Sequence, residues 1–144
     1  MEEEIMQLLK LNNKIFRTTQ VYLDKVLKKY ELSSGSYPYL LMLRHKDGIN
    51  QNMISEKLGY DKAMTTRTVT KLIKLGYLER NKDESDHRAN NIYLTPKASV
   101  VIENILDEIH ALVRLMTADM DDQEKINTVN SLKKMLTNAR ELNR

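Results

Sequence analysis

Apolar residues recur in steps of three and four along residues 1–32, at Ile5, Leu8, Leu9, Ile15, Phe16, Tyr22, Leu23, Val26, Leu27 and Tyr30. That period predicts one face of a long helix. A single stripe of this length must be buried against something, and a small domain supplies only part of the surface. "SSGS" at 33–36 interrupts the pattern and offers an N-cap for a second helix, "YPYLLMLRH", with Pro38 in its first turn. "KDG" at 46–48 ends it. "INQNMISEKLGY" (49–60) reads as a short helix with Asn50 as N-cap and Gly59 just past its end. Asp61 then caps "KAMTTRTVTKLIKL", which stops at Gly76. Two short helices joined by a tight turn at Gly59–Tyr60 predict a helix-turn-helix.

The period changes after Gly76. Tyr77 and Leu78 lead a strand, residues 82–90 are polar and charged, and "NIYL" alternates as a returning half-buried strand. Thr95 suits a helix N-cap, with Pro96 at the first helical position. Residues 96–117 carry Val101, Ile102, Ile105, Ile109, Leu112, Val113 and Met116 on one side. The last helix opens with Asp121 and Glu124 at capping-box spacing and carries Ile126, Val129, Leu132, Leu136, Ala139 and Leu142 as its stripe. The predicted fold is mainly α: a winged helix-turn-helix over 33–95 with one small β-hairpin wing. Helical arms flank it at 1–32 and 96–144, and their uncovered stripes suggest dimerisation.

Length and composition narrow the class. A chain of 144 residues is one domain, or one domain with an assembly element. Having no cysteine, it has no disulfide, thiolate metal site or thiol redox sensor. No uncharged apolar run approaches the ~20 residues needed to cross a bilayer, and "MEEEIMQLLK" lacks the order of a secretory signal. A cytoplasmic protein, without a membrane partner, is the simplest expectation. The net charge of +3 is mild, but residues 60–82 hold Lys62, Arg67, Lys71, Lys74, Arg80 and Lys82 against only Asp61 and Glu79. The basicity is local.

That local basicity falls where a helix-turn-helix would meet DNA. The N-terminal half of its second helix reaches base edges in the major groove. Here that half is short-chained or basic, and carries no carboxylate after Asp61. Lys62, Met64, Thr66 and Arg67 are candidate base or groove contacts, with Thr70 and Lys71 nearer the phosphates. Val69 and Leu72, with the methyls of Thr65 and Thr68, are expected to face the core. Asn50, Gln51, Arg80 and Lys82 are candidate phosphate contacts. The competing reading is a solvated amphipathic helix, or a winged-helix module that binds an acidic protein and not DNA.

The stretch "GYDKAMTTRTVTKLIKLGYLERNKDESDHRANNIYLTPKA" resembles the winged helix-turn-helix core of the MarR family of transcription regulators. Asp86, Arg88, Leu94 and Thr95 match its Asp-x-Arg and Leu-Thr signature. The resemblance implies that Arg88 enters the minor groove, where negative potential is enhanced, and that Asp86 holds the wing by charge pairing. An unrelated surface Asp/Arg pair would contribute only about 0–1 kcal/mol. The family likeness also implies a homodimer built by the terminal helices, reading a pseudo-palindromic double-stranded operator with half-sites about 10 bp apart. Members are commonly repressors relieved by a small aromatic or anionic effector, bound where arms and winged domain meet. Arg17, Tyr22, Tyr30 and Tyr39 are candidate walls of such a pocket. Relatives often carry apolar residues at the positions of Thr65 and Thr68, so this helix departs from the pattern there.

Other chemistry finds no support in the residues. His45, His87 and His110 are scattered and lack cysteine partners, so no metal site is expected. No Gly-rich phosphate loop, zinc-protease motif or activated nucleophile occurs, so neither catalysis nor a cofactor is expected. The eight methionines read as filler for helical interfaces.

Overall fold

The computed structural model describes residues 1–82 and 90–144, with the side chains of Lys82 and Asn90 excepted. The described chain divides into two compact units, Met1–Leu106 and Asp107–Arg144. In the first unit, α1 (Glu2–Leu27) runs into a 3₁₀ turn (Lys28–Tyr30) and is followed by α2 (Tyr37–His45). β1 (Ile49–Asn50) leads into α3 (Gln51–Leu58), α4 (Lys62–Lys74), β2 (Leu78–Lys82) and β3 (Asn90–Leu94). α5 (Pro96–Met116) begins in the first unit and ends in the second, where α6 (Asp122–Glu141) completes the chain. Among the described residues, no helix is long and apolar enough to cross a membrane.

Side chains fix most helix starts. Asn50 Oδ1 accepts from Met53 N at 2.9 Å, and Asp61 Oδ1 accepts from Met64 N at 2.7 Å. Thr95 Oγ1 accepts from Ala98 N at 3.3 Å while donating to Gly76 O at 2.6 Å. Asp121 Oδ1 accepts from Glu124 N at 2.8 Å. Each bond satisfies a first-turn N–H that the helix itself leaves without a partner. Gly59 ends α3 at φ 71°, and this left-handed residue makes the turn into α4 short. Ser36 departs from expectation. It stands at the N-cap of α2 without capping it, because its hydroxyl is engaged by Ser33: it accepts from Ser33 N at 2.8 Å and lies 3.2 Å from Ser33 Oγ.

The expected two-stranded wing is a three-stranded antiparallel sheet of order β1-β3-β2. Ile92 pairs with Ile49 on one side and with Arg80 on the other. The turn before β1 makes this docking possible. Gly48 sits at φ 75°, its N–H donates to Ile92 O at 2.9 Å, and a Cβ there would stand 2.8 Å from the Tyr93 ring. Asp47 Oδ1 adds a bond from Leu94 N at 2.9 Å.

The core of the first unit gathers Leu27, Leu40, Leu43, Ile54, Leu72 and Ile92, all fully buried. Most of α1 stands outside it: only Leu23 and Leu27 of that helix are buried, while Ile5, Leu8, Leu9, Ile15 and Phe16 are exposed. In the second unit, α6 has no buried residue, and Ile126, Val129, Leu132 and Leu136 are exposed.

Thr65 is 1% exposed and its hydroxyl lies 3.3 Å from that of the fully buried Tyr39. This explains the threonine at a position where an apolar residue would also fill the space: two buried hydroxyls satisfy one another. Removing one partner leaves the other desolvated and unpaired, whereas removing both does not. Thr65→Val and Tyr39→Phe should therefore each lower unfolding free energy by about 1 kcal/mol, and the double variant should lose less than their sum. Strictly additive losses in urea titrations would contradict the pairing.

Candidate nucleic-acid interface

α4 is divided lengthwise by its own period. Thr65, Val69 and Leu72 are buried. Ala63, Thr66, Arg67, Thr70, Lys71 and Lys74 are exposed, as is Lys62 in the first turn. No carboxylate lies anywhere between Lys62 and Lys74. The outward face is therefore uniformly neutral or positive, with small residues at Ala63, Thr66 and Thr70 that permit close approach to a groove floor. Ala63 and Lys74 are additions that the burial pattern supplies. At 100° per residue both lie beside Arg67, on the face away from the buried edge. Met64, a candidate groove contact, is half-buried and lines a cavity with Phe16 and Tyr60.

Both ends of α4 are held. Asp61 caps the start. At the finish, Lys97 Nζ donates to Leu75 O at 2.6 Å and lies 4.6 Å from the centre of the Tyr77 ring. A cation on the last carbonyls complements the helix dipole. Tyr77 is itself buried and donates its hydroxyl to Tyr30 O at 2.7 Å.

The candidate phosphate contacts have defined partners. Asn50 uses its side-chain oxygen as the α3 cap. Gln51 Nε2 donates to Thr66 Oγ1 at 3.1 Å, and Gln51 Oε1 accepts from the exposed Arg80 at 2.5 Å. Lys82 ends β2, and its side chain lies outside the described residues. Asp86 and Arg88 also lie outside the described residues, in the stretch 83–89. Among the described residues, no group of three or more His, Asp or Glu is gathered as a metal site would require.

This arrangement has relatives. Residues 32–89 match the MarR family profile. The HTH-type transcriptional regulator BilQ of Clostridioides difficile (strain CD3) is 30% identical over 125 residues, covering 85% of this chain and 84% of that protein. The chain belongs to the MarR family. SarZ of Staphylococcus haemolyticus, another HTH-type transcriptional regulator, is 30% identical over 112 residues, 78% of this chain and 75% of its own. A MarR transcriptional regulator from Methanosarcina mazei Go1 superposes with a TM-score of 0.87 at 30% identity, covering 95% of this chain and 99% of that one. The expected winged-helix fold is the one observed, with α4 as the second helix of the helix-turn-helix. The protein is a DNA-binding transcriptional regulator of the helix-turn-helix class, a family of regulators and not of enzymes.

The candidate effector walls are not brought together in this MarR-family chain. Tyr39 is fully buried, with its hydroxyl against Thr65 and its ring 5.7 Å from that of Tyr60. It is core. Tyr30 receives the Tyr77 hydroxyl on its carbonyl and has Lys29 Nζ 5.2 Å from its ring centre. Arg17 is exposed beside Lys10, Asn13 and Lys14 on the surface of α1, and Tyr22 is half-buried elsewhere on that helix. A cavity of about 310 Å³ lies instead between α1, the 33–37 loop and the turn into α4. Phe16, Leu23, Tyr37, Tyr60 and Met64 are its principal walls. The period of α1 pointed to its apolar face but could not say which tyrosines from distant segments would meet it.

Burial pushes the phenols of Tyr37, Tyr60 and Tyr77 above their ordinary value of 10.0, with smaller additions from Tyr60 at Tyr37 and from Tyr39 at Tyr60. Glu31 and then Tyr30 add to the rise at Tyr77. The folded state thus holds these protons more tightly than the unfolded chain. That contribution is fully present below the unfolded value and is lost as pH rises through the folded one. Urea midpoints should fall as pH rises above the unfolded value of 10.0, and Tyr60→Phe should reduce that fall. An unchanged fall in the variant would count against the raised phenol.

Proposed function

We propose that this regulator binds a pseudo-palindromic operator as a homodimer and represses transcription until a small aromatic or anionic effector releases it. The observation that carries this reading is the carboxylate-free outward face of α4, with Arg67 at its centre. Arg67 would form a bidentate bond with guanine, while Thr66 and Thr70 approach bases and Lys62, Lys71 and Lys74 neutralise phosphates. Asp86 and Arg88 supply the wing contact that the family signature implies. Residues 33–95 form the reading head in this account, and 1–32 and 96–144 the dimerisation arms. The exposed apolar faces of α1 and α6 support a second copy of this chain as their cover. The protein would work in the cytoplasm, where the DNA is.

The cavity bounded by Phe16, Tyr37, Tyr60 and Met64 is the site we assign to the effector. Its walls join α1 to the start of α4, so occupancy favouring one setting of the helix would alter DNA affinity, and DNA would alter effector affinity by the same factor. A protein-binding winged helix is the less supported alternative, since the outward face of α4 carries no large exposed apolar anchor.

A duplex selected from a random pool, titrated at several salt concentrations, tests the reading. Affinity should fall steeply with log salt, at about 0.9 in slope per neutralised phosphate. Arg67→Ala should remove about 1–3 kcal/mol of discrimination between operator and random duplex. Lys71→Ala and Arg88→Ala should weaken all duplexes alike. Sedimentation should give a dimer, and truncation after residue 117 should abolish operator binding. A salt-insensitive interaction, or an operator-binding monomer, would overturn the proposal.

A further inference from the structure

The amide of Gln51 joins two elements that the reading above turns toward DNA. A guanidinium has only donors, so Arg80 on β2 must meet Gln51 Oε1, which leaves Gln51 Nε2 to donate to Thr66 Oγ1 on α4. The distances are 2.5 Å and 3.1 Å. Thr66 completes the chain by donating its own proton to Lys62 O at 3.0 Å. Gln51 is well placed to hold both partners. It is half-buried at the first position of α3, directly after Asn50, which is anchored twice: its side chain caps α3, and its backbone pairs with Asn91 of β3.

We propose that Gln51 is a positioning residue for DNA binding, a crossbar that sets the recognition helix and the wing strand at one spacing and holds Arg80 ready for a phosphate. The proposal rests on the reading that this face meets DNA. Sequence alone suggested that Gln51 touches a phosphate directly. Its two engaged atoms favour the indirect role. A free surface arginine loses side-chain freedom on reaching a phosphate, and one already held by a fixed acceptor loses less. The hydroxyl proton of Thr66, committed to Lys62, leaves that residue a methyl and a lone pair to offer a base.

A double-mutant cycle on the full-length protein, with the pool-selected duplex as probe, tests the crossbar. Arg80→Ala should weaken binding by about tenfold and reduce the salt slope by about 0.9. Gln51→Ala should weaken binding by several-fold and reduce the slope in the same direction, with its urea midpoint unchanged. In the double variant, the loss should be clearly smaller than the sum of the two single losses. Additive losses would overturn the proposal, as would an Arg80→Ala variant that binds like the parent, or a Gln51→Ala slope equal to the parent's. Failure of the parent to bind any duplex in a salt-dependent manner would overturn the DNA reading itself.

Discussion

α4 is fixed at its start by the Asp61 carboxylate, one turn on by Thr65 against Tyr39, and at its end by Lys97 on the Leu75 carbonyl. Those three restraints come from three different parts of the first unit, and everything the protein presents outward on this helix depends on them. A threonine-rich helix with Thr65, Thr66, Thr68 and Thr70 has mediocre intrinsic propensity. Its definition must therefore come from caps and packing. With Val69 and Leu72 fully buried, a rotation about the helix axis would expose core side chains and withdraw Arg67. The outward face is the remainder after the core has taken its edge.

The same logic ties the helix to its surroundings. Lys97 opens α5, and the ring beneath its ammonium belongs to Tyr77, whose hydroxyl reaches the carbonyl of Tyr30 just after α1. Helix end, strand start and arm end thus share one polar cluster on a buried aromatic. The cavity lined by Phe16 and Met64 brings an α1 side chain and the first turn of α4 to the walls of one pocket. The first helix and its end thus approach α4 in two places, one polar and one apolar.

Much of this was legible in the chain. Asn50, Asp61, Thr95 and Asp121 announce helix starts because capping is local chemistry, decided within four residues. The outward set of α4 followed from its period, and Ala63 and Lys74 needed only the observed core edge to join it. What sequence could not show depends on distant partners. β1 is two residues long, too short for alternation to register, and exists because Gly48 and Asp47 dock it on β3. Ser36 has the right identity for a cap, yet Ser33 competes for its hydroxyl. Tyr39 looked like a pocket wall because aromatic identity does not distinguish a ligand surface from a core. Gln51 looked like a phosphate donor because nothing local reveals Arg80 across the sheet.

The central claim is that the outward face of α4 is the surface that closes on a duplex. Amide chemical-shift mapping of the full-length protein, on addition of a duplex selected for tight binding, tests it most directly. The account predicts the largest changes at Ala63, Arg67, Thr70 and Lys74, with small ones at Val69 and Leu72. Changes concentrated on α1 and α2, with the outward residues of α4 unmoved, would contradict it.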